Sequence, residues 1–477
     1  MVHPVATRRS ETRHSQVSLH LPFSMKRSSY PFFVLLACGC AAGLLPPSPS
    51  LLAQIAPQVV RTRIAGVDTI IYRTGIQDVV TIEGSLPAGD AFAGEGNIAV
   101  PTLTGMLLDK GTEKQDQFAI AEELERVGAT LSFEVGTQMV EIKGKCLKKD
   151  VPLVIGLIAE QLRIPALAEE ELEKVKKQFA GGLQRQLEST DFRAADAFSR
   201  AIYPEGHPNR QPPTGEMLAA IDQAKLQDVR EFHKKHYGPA HLTLVLVGDV
   251  DAAQIQTELG KAFAGWTGGV PVIHPARAAT TDAAKAQKIF MADKTSISVV
   301  MGEATGLKYS DPDYQALRLA TAVLGGGGFS GRLMQTVRDK EGLTYGIYSN
   351  TSNDTFTDGD WKISATFAPA LLEKGLAATR EQFAKWYAEG VTPAELAYRK
   401  ENLIGSFKVS LATTGGMAGS LLAAVHRGYG VDWLDRYPQV IDSLTLDQVN
   451  GAVKKHLNPD NLVVIEAGTI PGGTEAK

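Results

Sequence analysis

The amino-acid sequence predicts an α+β protein made of two tandem, homologous halves. Each half is expected to be an α/β sandwich in which an antiparallel-rich sheet packs against helices. Two observations support this prediction. Amphipathic helical patterns are mixed with short runs of β-branched and leucine residues, and the second half repeats residues of the first at a fixed distance. A chain of 477 residues is also too long for a single hydrophobic core.

The repeat can be followed residue by residue. Adding 220 to the numbers of ten residues gives a residue of the same type in the second half, and the ten are Ile221, Asp222, Leu226, Val229, Lys234, Lys235, His236, Pro239, Leu242 and Gly248. A second set at a distance of 224 is Glu171, Leu172, Gly181 and Leu187. The chain is therefore a tandem duplication, and the halves are predicted to meet near 268–284.

Each half is predicted to begin with strands, continue with long helices and end on a helix followed by a strand. The opening strands are Thr69–Tyr72, Val79–Leu86 and Ile297–Met301. The long helices are 169–188, 194–202 and 370–389. The closing pairs are Leu226–His236 with the strand 242–247, and Leu446–His456 with the strand 462–465.

Residues 1–53 are predicted to be an N-terminal extension with a secretion signal, ahead of domains at 54–270 and 285–472. Met25 and two basic residues precede an apolar run from Phe32 to Leu45, which is typical of a signal and short for a membrane span. We expect Met25 to be the start and cleavage to follow Ala53, with lipidation at Cys38 or a buried apolar helix as alternatives. The prediction is export to a bacterial periplasm, with no membrane span beyond the signal.

Charge and cysteine content argue against nucleic-acid binding and against disulfide bonds. The net charge is −4 and there is no basic run, which argues against a nucleic-acid partner. Outside the signal segment the sequence has one cysteine, Cys146, so no disulfide can form within that part of the chain.

Three stretches together resemble the M16 peptidases, the insulinase and mitochondrial-processing-peptidase family. They are 100–112 with 119–129, 171–188 with 207–221, and 324–349. Active members bind zinc through His-x-x-Glu-His on a helix and a glutamate from the next long helix. The resemblance puts Thr102, Gly105 and Met106 at the motif positions and Gly181 (or Gly182) at the distal one. These residue types are poor zinc ligands, and no histidine occurs between His20 and His207. We therefore expect no metal on this chain, and zinc only in a partner chain.

The resemblance also implies a substrate-binding pair, Arg338 and Tyr345, which in the family hold the peptide backbone and the oxyanion. The alternative is that Arg338 caps a helix and Tyr345 is a half-buried strand residue. The glycines Gly326, Gly327 and Gly328 fit a dinucleotide-binding pattern, but the segment before them is helical rather than a strand. They are expected to let two helices meet closely, or to touch a peptide as in some relatives.

His233 and His236 lie one helical turn apart, but the repeat has Val453 in place of the first, which favours a structural role. The sequence therefore predicts the non-catalytic subunit of an exported zinc-peptidase heterodimer, with a partner M16 subunit that carries the zinc motif, or a homodimer. The peptide substrate would be bound in part by this chain. The alternatives are a structural or peptide-binding protein with no role in proteolysis, and an autonomous metallopeptidase with substitute ligands.

Overall fold

Two six-stranded sheets form the frame of the protein, one in each half of the chain. The computed structural model describes residues 54–274, 279–326 and 328–475. The predicted signal, with Met25, Cys38 and the cleavage at Ala53, lies outside these residues, and so does Gly327. Within the described part of the chain, no helix is both long and apolar enough to cross a membrane.

The first half contains six strands and eight helices among the described residues. The strands are β1 (Val59–Ile64), β2 (Val67–Arg73), β3 (Val79–Pro87), β4 (Thr130–Val135), β5 (Met139–Leu147) and β6 (Thr243–Gly248). The helices are α1 (Val100–Met106), α2 (Gln117–Val127), α3 (Val151–Arg163), α4 (Glu169–Gln186), α5 (Thr190–Ile202), α6 (Thr214–Gln223), α7 (Leu226–His236) and α8 (Ala252–Ala262).

The second half repeats most of this order, with two strands instead of three before its first α-helix and a short strand in place of α8. Its strands are β7 (Lys285–Phe290), β8 (Ile297–Ala304), β9 (Thr344–Ser352), β10 (Asp360–Phe367), β11 (Val463–Gly468) and β12 (Thr474–Glu475). Its helices are α9 (Tyr314–Thr321), α10 (Leu372–Glu389), α11 (Pro393–Ser410), α12 (Thr414–His426), α13 (Trp433–Ser443) and α14 (Leu446–His456). The duplication extends to the bounds of the elements, because α4 and α5 coincide with α11 and α12 at a distance of 224.

The sheets are mostly antiparallel, as the sequence predicts. The first has the strand order β1-β2-β6-β3-β5-β4 and the second the order β12-β7-β11-β8-β10-β9. Only the pairs β2–β6, β7–β11 and β7–β12 run parallel among the described strands. The equivalent strands β4 and β9 each lie at an edge, where one row of backbone groups is not paired within the sheet.

The two halves exchange one helix each. Helix α5 belongs to the first half but packs on β8 and β11 of the second sheet, whereas α12 packs on β3 and β6 of the first. The helices start in the same way: the hydroxyl of Ser189 accepts from the Phe192 amide, and that of Thr413 accepts from the Gly416 amide. The Ser189 cap explains why α5 begins at Thr190, four residues before the predicted start.

The exchanged helices bury apolar faces, and this burial joins the halves. Ala194, Phe198 and Ile202 of α5 share a buried cluster with Val300 and Ile465 of the second sheet. Full burial of a side chain of this size contributes roughly 1.5–3 kcal/mol. The two sheets are therefore held together by hydrophobic packing as well as by the chain connection.

Candidate functional site

Helix α1 carries the three degenerate motif positions, and one of them binds a neighbouring carboxylate. The hydroxyl of Thr102 donates to Oδ1 of Asp90 at 2.5 Å. Asp90 follows β3 and is positioned by its own amide, which donates to the carbonyl of Gly136. Burial raises the pKa of the Asp90 carboxyl to about 6, although the hydrogen bond from Thr102 lowers it. Thr102 on the helix and Asp90 before it thus form a hydroxyl–carboxyl pair at the predicted first motif position.

Gly105 takes the place of the motif glutamate, and the structure leaves no room for a side chain there. A Cβ on Gly105 would lie 2.2 Å from Cγ2 of Val135 on the edge strand β4. Such a contact forces a shift, and Val135 is β-branched and stiff. The edge strand therefore occupies the space that a catalytic glutamate on α1 would need.

The distal position is equally unsuited to zinc. Gly181 and Gly182 lie in the middle of α4, where the nearest neighbours of an added Cβ are the guanidinium atoms of Arg185, at 3.6 and 3.9 Å. Across residues 54–274, 279–326 and 328–475, no group of three or more His, Cys, Asp or Glu side chains could hold a metal ion. Thr102, Met106 and the glycines do not fit a zinc ion, and no catalytic step is derived through one.

A cavity of about 430 Å³ lies where these helices meet the second half. Its wall includes the degenerate helix α1 through Thr102, the long helix α4 and the exchanged helix α5. Its apolar side chains are Val135, Phe179, Leu183, Phe192, Phe198, Pro212 and Met217. Its ionisable side chains are Asp90, Asp196, Tyr203, Asp360 and Lys362. The cavity therefore combines residues from both halves.

The charges on the far side of the cavity are paired. The hydroxyl of Tyr203 donates to Asp360 at 2.8 Å, and Lys362 donates to the same carboxylate at 2.9 Å. Burial, followed by the charge of Asp360, raises the pKa of Tyr203 well above its usual value, so the hydroxyl stays protonated. Asp196 pairs with Arg200. Asp90 is the carboxylate of the lining without an ion pair among the described residues.

Arg338 and Tyr345, predicted as a pair, lie close together on the surface. The guanidinium carbon of Arg338 is 5.4 Å from the ring centre of Tyr345 and 4.6 Å from that of Phe329. Both distances are within the range of cation–π attraction. Tyr345 is 88% exposed and Phe329 is 66% exposed, which is unusual for large aromatic side chains. The structure does not bear out the alternative of a half-buried Tyr345.

Tyr345 also borders a groove of about 890 Å³. One side of the groove is the edge strand β9, with Tyr345 and Tyr348, and the other includes Asp191 and Ala195 of the exchanged helix α5. Ala195 lines the cavity behind Thr102 as well. The groove and the cavity therefore share α5 as a wall. This helix belongs to the first half of the chain, whereas Tyr345 belongs to the second.

The glycine-rich segment lies beside this pair. Gly326 and Gly328 are exposed, and Gly328 has a φ of +58°, a conformation that glycine adopts without strain. A Cβ on Gly331 would lie 2.9 Å from Cα of Gly325, so the chain segments on either side approach closely here. The close approach thus involves Gly325 and Gly331, on either side of the predicted glycines, and Phe329 lies between them next to Arg338.

The histidine pair on α7 has a structural role. Nε2 of His233 lies 2.9 Å from the carbonyl oxygen of Leu162. The ring of His236 stacks on Phe232 and meets Phe92 edge-on. Burial lowers the pKa of His236 to about 4, so the ring is neutral at pH 7. Neither histidine is directed to a shared ligand.

Sequence reasoning missed Asp90 and Phe329. Asp90 lies outside the helical motif, and its only signal is an acidic residue immediately after a strand. Phe329 is an aromatic residue within a glycine-rich loop, and such a residue often marks an exposed contact surface. Both become apparent only when the fold brings them to Thr102 and Arg338.

Comparison with known proteins identifies the family of the chain. The family model described as Insulinase (Peptidase family M16) matches residues 102–207, and the model described as Peptidase M16 inactive domain matches residues 223–403. The chain belongs to the M16 peptidase family. Its second half matches the M16 inactive domain, which makes it an M16-like inactive peptidase homologue, and Thr102, Gly105 and Met106 are the residues predicted at the zinc-motif positions.

Relatives within the M16 family span most of the chain. The non-peptidase homolog YmxG of Helicobacter pylori is 23% identical over 381 residues, which is 78% of this chain and 85% of the relative. An uncharacterized zinc protease of Streptomyces coelicolor is 25% identical over 320 residues, 65% of this chain and 68% of the relative. The solved peptidase M16 inactive domain from Pseudomonas fluorescens superposes with a TM-score of 0.79 and 25% identity, covering 88% of this chain and all of that one.

Proposed function

We propose that this chain is the non-catalytic subunit of an exported M16 zinc peptidase. A second M16 chain carries the zinc motif, and this chain contributes Arg338 and Tyr345 to the binding of the peptide substrate. The observation that supports the proposal most is the cluster of a half-buried Arg338 with the exposed rings of Phe329 and Tyr345, on a chain whose predicted motif positions hold no zinc ligand.

The chemistry of the cluster suits a peptide carbonyl. A guanidinium offers several N–H donors in a fixed plane and stays charged at any physiological pH. A phenol adds a neutral donor, and together they can stabilise the negative charge that develops on a carbonyl oxygen during hydrolysis. The rings of Phe329 and Tyr345 restrict the guanidinium before the substrate arrives, which reduces the entropy lost on binding.

The surroundings also suit an extended peptide. Tyr345 lies on β9, and an edge strand offers unpaired backbone groups to which a peptide can add as a further strand. The adjacent groove has a volume of about 890 Å³, which is enough to hold several side chains. Export is supported by the basic residues and apolar run after Met25.

The test is reconstitution from two purified chains, this one and an M16 chain with His-x-x-Glu-His from the same organism. We expect peptidase activity in the mixture that neither chain has alone. Arg338→Lys should lower kcat/KM of the mixture at least about tenfold, because it removes the planar fork. Tyr345→Phe should also lower kcat/KM of the mixture, because it removes the phenol donor. Its matched control is Tyr398→Phe, at an exposed tyrosine on α11.

The proposal fails if the zinc-motif chain alone is fully active and the Arg338 variant leaves the mixture unchanged. A second candidate is then a peptide-binding protein without a role in proteolysis. The cavity of about 430 Å³ favours this second function, since it is formed within one chain. It also contains the carboxylate of Asp90, which has no ion pair among the described residues. Peptide binding by the single chain, abolished in Asp90→Asn and without cleavage, would support that function.

A further inference from the structure

A second cavity, of about 420 Å³, lies in the second half of the chain between α11, α12 and α13. It is the repeat of the cavity behind Thr102. At the repeat distance of 224, Leu403 and Arg427 in this cavity correspond to Phe179 and Tyr203 in the first. At the distance of 220, Tyr437 corresponds to Met217. The duplication has therefore preserved a pocket in the half that has no counterpart of the zinc motif.

The two equivalent cavities differ in charge. The first contains three aspartates, whereas the second is lined by two arginines, Arg318 and Arg427, and by no acidic residue. Neither arginine has a carboxylate within 4.0 Å in the described part of the chain. The nearby carboxyl of Asp354 accepts from the hydroxyl of Tyr314 at 2.6 Å and interacts electrostatically with both arginines, but it is not part of the lining. The lining itself carries two guanidinium groups and no carboxylate, and so an excess of positive charge.

The contacts of the arginines leave donors free. Arg318 donates to the hydroxyl of Tyr437 at 2.8 Å and weakly to Gln315 at 3.4 Å. Arg427 stacks on the ring of Tyr309, with its guanidinium carbon 3.6 Å from the ring centre. Its buried Nε has no hydrogen-bond partner among the described residues. A buried guanidinium nitrogen without a hydrogen-bond partner is costly unless a ligand completes it.

We propose that this cavity binds a small ligand with an oxyanion, a phosphate or a carboxylate, on an apolar body. The oxyanion meets Arg318 and Arg427, because guanidinium groups bind both anions through paired hydrogen bonds. The apolar body packs on the hydrophobic part of the wall, which is Leu403, Phe407, Trp433 and Leu434. This site is separate from the Arg338 cluster and does not depend on a peptidase partner.

Titration calorimetry on the full chain tests the proposal with three probes: phenyl phosphate, benzoate and inorganic phosphate. We expect saturable binding of at least one aromatic probe, and weaker binding of inorganic phosphate, which lacks the apolar body. Comparison of phenyl phosphate with benzoate decides between the two oxyanions. Arg427→Gln should weaken binding at least about tenfold, because a charged hydrogen bond is lost. Arg126→Gln, at an exposed arginine on α2 in the first half, is the control.

A second variant blocks the cavity without touching the arginines. Gly419 lies on α12 in the wall, and an added Cβ there meets no atom within 4 Å. Gly419→Leu should fold and abolish binding by filling the space, whereas Gly156→Leu on α3, also in open space, should not. The proposal is overturned if no probe binds the wild-type chain, or if both Arg427→Gln and Gly419→Leu bind as the wild type does.

Discussion

The hydroxyl groups of Thr81 and Thr414 lie 2.8 Å apart, although 333 residues separate them in the chain. Thr81 is on β3 and Thr414 is in the first turn of the exchanged helix α12. The equivalent pair is Thr190 of α5 and Ser298 of β8, also 2.8 Å apart. The same polar contact thus anchors each exchanged helix to the sheet of the other half.

Removing one hydroxyl of the first pair should destabilise the protein. Thr414→Val leaves the buried hydroxyl of Thr81 without its partner, and we expect a loss of about 1–3 kcal/mol in the free energy of unfolding. The double variant Thr81→Val with Thr414→Val should recover much of this loss, because no orphaned hydroxyl remains. Urea denaturation of the wild type, the two single variants and the double variant measures the coupling between the two hydroxyl groups. The exposed Thr257→Val is the control. Strictly additive losses would contradict a direct bond between the two threonines.

Gly105 is expected to reject even the smallest side chain. Gly105→Ala should lower the free energy of unfolding by about 1–3 kcal/mol, because the new methyl overlaps Val135. The control is Gly156→Ala, which lies in open space on α3 and should gain about 0.5–1 kcal/mol from helix propensity. Adding Val135→Ala to Gly105→Ala should cost less than the two single losses together. A stabilising Gly105→Ala would disprove the overlap.

His426 should make the protein sensitive to acid. Nε2 of His426 lies 2.6 Å from the hydroxyl of Ser85, and burial, followed by the charge of Arg427, lowers its pKa to about 4. The unfolded chain takes up this proton near pH 6.5, so stability falls as the pH drops from about 6.5 towards 4.

The variant His426→Gln should remove this part of the pH dependence. Asp90, whose pKa is raised, contributes a slope of the opposite sign between about pH 4 and 6, but it does so equally in both proteins. The difference between wild type and variant therefore isolates His426. Thermal unfolding from pH 7.5 to 4.5 measures it, and the exposed His241→Gln serves as the control. Parallel curves for wild type and His426→Gln would refute the assignment.

Zinc removal should leave the isolated chain unchanged. We expect metal analysis to find far less than one zinc ion per chain, because the motif positions hold no ligand for it. A chelator should then shift neither the melting temperature nor the circular dichroism. An M16 chain with His-x-x-Glu-His, treated in parallel, should lose its activity. Stoichiometric zinc in this chain would instead support an autonomous metallopeptidase with substitute ligands.

Much of the fold follows from the sequence because the duplication and the periodicity are strong local signals. The closing helices are found at Leu226–His236 and Leu446–His456, as predicted. The exchange of α5 and α12 could not be predicted. An amphipathic pattern shows that one face of a helix is buried, but both sheets offer similar apolar faces, so the pattern does not identify the partner sheet.

Some residues of the candidate site can likewise be predicted from the sequence, and others cannot. The resemblance to the M16 peptidases implies that Arg338 and Tyr345 act together, and the structure places the two side chains next to each other. Phe329 and Asp90 owe their places to tertiary contacts that carry no fixed spacing in the sequence. Similarly, the two arginines of the second cavity, Arg318 and Arg427, lie on different helices, and only the fold brings them to one wall.

The exchanged helices also determine how the chain can come apart. A cut between Trp266 and Lys285 would break the connection between the halves, but each fragment would still contribute a helix to the other's sheet. We therefore expect such a nicked protein to stay associated, and neither fragment to fold alone, because each sheet would lack one of its covering helices. For the same reason the two halves cannot separate unless α5 and α12 leave the sheets on which they pack. In the proposed heterodimer, an opening that admits a peptide would therefore lie between the two subunits rather than within this chain.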